Sequence, residues 1–281
     1  MKAAMLANVS ITSWSAKQYD RALSRQTATS DNAKEDAVKA EKILAPKSAL
    51  AAIKKAEGAI RTFHLAQTLP WINRGPSLLP AKNFFRYRDG IAPLIAQYEA
   101  TADDFCGGPY IALFEAAKDR MGDLFDAYDY PTPDLIRKRY SAAVDFQPLP
   151  DGGDFRLDLD AGTEQALKDD CNARVAKAEG MAMDALYDRA YEAVNHMATF
   201  LKGYDPKGGS RMWPSLVGNV KAIAELMPLM NVANDPKLDQ FAKEIMADLA
   251  GYDTEDLKKD EALRGAVIIK AEHIASAIAN R

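Results

Sequence analysis

Apolar residues recur at three- and four-residue intervals over most of the chain, and the stretches that break this rhythm are short. From Lys47 to His64, Leu50, Ile53, Ala56, Ile60 and Phe63 mark one helical face. Ile91, Leu94, Ile95, Tyr98, Ala102 and Phe105 do the same further on. After Gly107, Gly108 and Pro109 comes the clearest stripe, Tyr110, Leu113, Phe114, Ala117, Met121, Leu124, Phe125 and Tyr128, with the width expected of a core-facing helix. Thr163 to Lys202 contains no proline. There Leu167, Cys171, Val175, Ala178, Ala182, Leu186, Ala190, Ala193, Met197 and Phe200 follow a near-heptad spacing that predicts one long helix able to pack on another. Val217 to Met227, a segment beginning at Asp235 and Pro236, and Leu263 to Ile278 complete the helical set.

Local signals set the boundaries. Asn32 followed by Glu35 has capping-box spacing and predicts a helix start. Thr132 before Pro133 predicts another, running through Tyr140. Pro70, Gly75, Pro76 and Pro80 forbid continuous helix between the second and third helices. Strand expectations are modest: a short one over Val9 to Trp14, and a hairpin in which Phe146–Leu149 and Phe155–Leu159 flank Asp151, Gly152 and Gly153. The fold class expected is mainly α, a multi-helix bundle with a small β-hairpin element. Two regions are expected: residues 1–160, helical with a short β element, and 161–281, the long helix plus a C-terminal bundle, the two forming either separate domains or one continuous domain.

Composition narrows the function classes. The chain has 281 residues, 48% hydrophobic, enough for a sizeable core, and a formal charge of −4 that gives no global attraction to nucleic acid or anionic lipid. The charge is polarised: residues 1–62 carry 11 Lys or Arg against 6 Asp or Glu, whereas residues 101–200 carry 10 against 20. Cys106 and Cys171 are too few for a disulfide framework, which points to a reducing compartment. Met1 to Ser13 has one positive charge, Lys2, and no long apolar run, so no secretory signal and no membrane partner are expected.

Catalytic patterns are sparse. His64, His196 and His273 stand alone, without the local pairs that zinc sites use, and are read as structural or surface residues. Asp154, Asp158 and Asp160 would share one face of a strand, where a divalent cation could offset their repulsion; a solvated edge with Asp160 at a helix N-terminus is the favoured reading. Gly203 to Ser210 has glycines and Lys207, but the lysine precedes the final glycines, unlike a phosphate loop. No catalytic residue, metal or cofactor is assigned. Lys54, Lys55, Arg86 and Arg88, the last two interleaved with Phe84, Phe85 and Tyr87, are the candidate nucleic-acid contacts, with packing of those aromatics as the favoured alternative. Trp71 and Trp213, each beside a proline, together with Leu186 and Met197 of the long helix, are candidate interface or structural anchors.

The ordered turns carry a resemblance. Ser13 with Trp14, Thr68 to Trp71, Leu78 to Pro80, Leu124 with Phe125, Asp129 to Pro131 and Pro148 to Arg156 occur in a sequence of motifs that resembles the bacterial and phage domain-of-unknown-function family numbered 3150, over roughly residues 8–160. Ile72 and Asn73 depart from it where acidic residues are expected in relatives. The resemblance implies a phage protein working in the cytoplasm of the infected bacterial host, often encoded near MoxR-type AAA+ ATPases and von Willebrand A domains. The expectation drawn from all this is a non-enzymatic protein that self-assembles into a homo-oligomer, as a closed ring or shell. The alternatives are a nucleic-acid-associated replication or recombination factor and an adaptor for a MoxR-type ATPase.

Overall fold

A computed structural model describes residues 3–72, 75–150, 160–206 and 208–281. The fold is mainly α, with a small sheet, as the periodicity predicts. Its helices are α1 (Arg21–Ser30), α2 (Ala51–Gln67), α3 (Phe84–Gly107), α4 (Pro109–Met121), α5 (Pro133–Arg137), α6 (Ala161–Lys202), α7 (Ser215–Met230), α8 (Pro236–Asp248), α9 (Thr254–Lys259) and α10 (Glu261–Ala279). The strands are β1 (Ala4–Thr12), β2 (Lys17–Tyr19), β3 (Glu41–Ile43), β4 (Ser77–Pro80) and β5 (Ser141–Pro148). Sheet order is β4, β1, β5, and β2 pairs with β3 separately.

The chain divides into two compact units. Unit 1 holds residues 1–8, 65–87 and 146–281; unit 2 holds residues 9–64 and 88–145. The division expected from sequence, at residue 160, lies within unit 1.

Unit 1 is organised by α6. Asp160 starts it by accepting hydrogen bonds from the Gly162 and Thr163 amides, and Gly203 ends it. Along its inner face Ala178, Ala182, Leu186, Ala190, Val194 and Met197 are fully buried or nearly so. The alanines let neighbouring backbones come close, and α10 and α7 pack against this face. Val220 and Met227 of α7, Leu238 and Ile245 of α8 and Val267, Ala271 and Ile278 of α10 close the same core. At its margin β4 pairs antiparallel with β1, placing Leu79 opposite Met5 and Leu78 opposite Leu6.

Unit 2 has an aromatic core. Trp14, Tyr98, Phe105, Tyr110 and Tyr140 are buried, with Trp14 meeting Tyr110 edge to face at 5.5 Å. Two charged clamps tie its segments together. Lys42 on β3 bridges Asp20 at 3.2 Å and Asp129 at 2.9 Å. Arg137 on α5 pairs with Glu99 at 2.6 Å and with Asp103, both on α3, and donates to the Tyr140 carbonyl. The Arg137 guanidinium lowers the Asp103 carboxyl from its ordinary value.

Four sequence expectations change. The first strand begins earlier, at Ala4, because Ala4 to Ala7 find partners in β4. Asn32 starts no α-helix: it closes α1, with φ of 51°, a left-handed conformation that asparagine tolerates. Only a 3₁₀ turn, Glu35–Ala37, follows. α3 begins seven residues before Ile91, so Phe84 to Tyr87 are helical and Pro93 is carried inside the helix. The helix beginning at Thr132 ends at Arg137, and Thr132 makes no side-chain cap. The second arm of the expected hairpin lies outside the described residues.

Candidate interaction surfaces

Leu186 and Met197 sit wholly inside the unit 1 core, so among the candidate anchors these two are structural. Trp71 is half-buried against the same core and lines a small pocket with Pro150, Cys171 and Val175. Trp213 is 60% exposed.

The candidate nucleic-acid contacts keep carboxylates close. Lys54 lies 2.8 Å from Glu57, Arg86 3.9 Å from Glu225 and Arg88 2.7 Å from Asp89; Lys55 is exposed. Lys54, Lys55 and Arg88 belong to unit 2 and Arg86 to unit 1. Of the acidic cluster, Asp160 is occupied as the α6 cap, its carboxyl held low by the Thr163 hydroxyl and amide. Asp154 and Asp158 lie outside the described residues. Among the described residues no group of His, Cys, Asp and Glu could hold a metal ion. His64 is buried, its pKa lowered by burial, while His196 and His273 are exposed. Gly203 to Ser210 links two helices, α6 and α7, so the phosphate-loop setting of strand then helix is absent there. Lys207 itself lies outside the described residues.

The stripe that periodicity assigns most firmly to the core is the one the fold leaves open. α4 stops at Met121, where Gly122 takes φ of 53°, and Leu124 and Tyr128 fall in short 3₁₀ turns. Tyr110 and Ala117 are buried, but Phe114 is 38%, Leu124 42% and Tyr128 97% exposed. Ile111 and Leu135 are exposed too. Part of this surface is a groove of about 330 Å³ walled by Tyr110, Ile111, Phe114, Tyr130, Pro131, Thr132 and Pro133. Its geometry is fixed from beneath. The Tyr110 hydroxyl donates to the Pro131 carbonyl, Phe114 stands edge-on to Tyr130 at 5.6 Å, and Arg120 donates to the Ile43 and Leu44 carbonyls. Burial pushes the Tyr110 hydroxyl up to about 12, so it stays a donor at neutral pH. Residues 109–135 carry six carboxylates and two cations. Glu115, next to Phe114, and Asp134, next to Pro133, are exposed and make no ion pair among the described residues.

The second surface is the segment leading into α7. Arg211, Met212 and Trp213 alternate exposed, buried, exposed. Met212, 3% exposed, anchors the segment in the unit 1 core while Arg211 and Trp213 project outward. The Trp213 carbonyl accepts from the Leu216 amide, which fixes the segment to the first turn of α7. Tyr204, Ser210, Glu255 and Lys258 line the depression around it, and Lys258 is paired with Glu255. Behind Tyr204, Arg264 lies over the ring at 5.4 Å and donates to the Leu257 and Lys258 carbonyls. Arg211 makes no ion pair among the described residues.

Sequence reasoning singled out Trp213 but missed the groove. The one available signal was Gly122 inside the stripe, a residue that interrupts helix and so separates Leu124 and Tyr128 from the face that Tyr110 and Ala117 occupy. No family model, curated protein or solved structure matches the chain.

Proposed function

We propose that this protein is a non-enzymatic scaffold that works by associating with further copies of itself. The observation that carries the reading is the exposure of large apolar side chains on ordered, well-anchored segments: Ile111, Phe114, Leu124, Tyr128 and Leu135 in one unit and Trp213 in the other. Single exposed apolar residues need no explanation, but Ile111 and Phe114, which wall one groove on a fixed framework, lose free energy in water and gain it on contact. No helix among the described residues is long and apolar enough to cross a membrane.

Sedimentation velocity of the full chain over a concentration series tests the reading. A species larger than one chain at micromolar concentration supports it; a single monomer boundary throughout removes it. The same proposal extends to a setting, the cytoplasm of a phage-infected bacterium, and to a MoxR-type ATPase as a partner of the assembly, both resting on the resemblance of the turn motifs alone. Co-purification of such an ATPase with the tagged chain supports that extension, and its failure to co-purify counts against it.

A further inference from the structure

The depression at the start of α7 sets an open aromatic face beside hydrogen-bond donors that have no partner. Tyr204, Ser210, Arg211, Trp213, Glu255 and Lys258 line about 580 Å³ of space, within the range of about 300–1,000 Å³ usual for small-ligand sites. We infer that this depression binds a nucleoside phosphate: the base lies on the Trp213 indole, and the Arg211 guanidinium and Ser210 hydroxyl donate to the phosphate. The site lies wholly in unit 1 and stands apart from the self-association proposed above, for which Ile111 and Phe114 of unit 2 remain.

Three observations point to this chemistry. Trp213 is held on both sides, by Met212 in the core and by the Leu216 amide on its carbonyl, yet its ring is 60% exposed and meets no other ring among the described residues. A fixed, open indole is a stacking platform, and every base has a π-face to lay on it. The donors next to it are free. Glu255, the one carboxylate among the described lining residues, is taken by Lys258 at 2.5 Å, which leaves Arg211 without an ion pair and Ser210 without a hydrogen bond among the described residues. A phosphate offers oxygens for the planar guanidinium and the hydroxyl together. The third observation lies behind the lining. Arg264 is 8% exposed, and its hydrogen bonds among the described residues run to the Leu257 and Lys258 carbonyls, so its charge is buried with no carboxylate against it. It sits 5.4 Å over Tyr204, and Tyr204 and Lys258 both line the depression. A buried cation without a counter-ion is costly, and an anion in the depression supplies one.

The wider surface is not basic. Asp205, Asp253, Asp256 and Asp260 flank the lining residues in sequence, so selection rests on the donors inside the depression. A surface of mixed sign does not track a polyanionic backbone, which favours a single nucleotide over a strand.

Tryptophan fluorescence reads the site, because Trp14 is 2% exposed and Trp71 half-buried, leaving Trp213 as the open one of the three. Adenosine monophosphate titrated into the full wild-type chain should quench the emission to a plateau with a Kd below about 1 mM. In calorimetry, Trp213→Ala and Arg211→Ala, both at exposed positions, should each weaken binding by about tenfold or more. Adenosine alone and inorganic phosphate alone should each bind at least about tenfold more weakly, since each fills half the site. Circular dichroism checks the fold of both variants, and Arg211→Ala alone decides if Trp213→Ala loses its helical signal. Absence of a plateau up to about 10 mM nucleotide overturns the site, as does unchanged affinity in a folded variant. An oligodeoxyadenylate of about twelve residues that binds more than about tenfold tighter than the mononucleotide overturns the choice of a single nucleotide. None of these readings depends on the native mass, so the site and the scaffold reading fail separately.

Discussion

Tyr187 and Asp235 show how single residues set the pH range of this fold. The tyrosine hydroxyl, almost buried on α6, donates to the carboxylate of the α8 N-cap at 2.7 Å, and this bond holds Asp235 below its ordinary value. A carboxyl with a lowered folded pKa contributes stability above its unfolded pKa of roughly 3.9, and loses it as pH falls through the lower folded value. Tyr187→Phe should therefore reduce unfolding free energy by about 1 kcal/mol at neutral pH. The difference from wild type should shrink below about pH 4 in urea titrations; a gap that persists unchanged into acid would contradict this origin. Lys42 behaves oppositely. The Asp129 hydrogen bond is the main cause of its raised pKa, so its contribution is complete below the unfolded value of roughly 10.4 and fades as pH rises through the folded value. Lys42→Met should lower the thermal midpoint at pH 7 because it leaves Asp20 and Asp129 facing each other, and the deficit should narrow in strong alkali.

Helix α6 shows what the order of apolar positions decides. Its 42 residues were legible because one near-heptad stripe runs unbroken by proline, and because Asp160, a good capping residue, stands just before it. The partners of that stripe were not legible: periodicity says that Leu186 and Met197 are covered, and only the fold shows that α10 and α7 of the same chain cover them. Asn32 failed for a related reason. A capping box and an asparagine closing the previous helix look alike in sequence, and the extended residues after Ala37, paired through β3 to β2, decided between them. The same limit hid the groove, since a stripe on α4 reads as core whether the covering element lies in the same chain or in another.

Small residues in α6 separate two kinds of position. Gly180 is exposed, with open space where a Cβ would stand, so Gly180→Ala should stabilise the helix by about 1 kcal/mol. That corresponds to a rise of about 2–4 °C in melting temperature. Ala190 is fully buried on the packed face, and Ala190→Leu should instead destabilise by about 1–3 kcal/mol through overpacking. Thermal melts of the two variants should move in opposite directions, and a shift of both in one direction would mean the inner face of α6 has been misplaced.

For the molecule as a whole, composition and charge exclude more than they assign. A net charge of −4 with a basic start and an acidic middle gives one chain both signs to offer, and the exposed apolar residues give it surfaces to offer them with. The most direct test is the native mass of the full wild-type chain, measured by light scattering at micromolar concentration. The scaffold reading predicts a whole-number multiple of 30.8 kDa greater than one, and a particle of 30.8 kDa would contradict it.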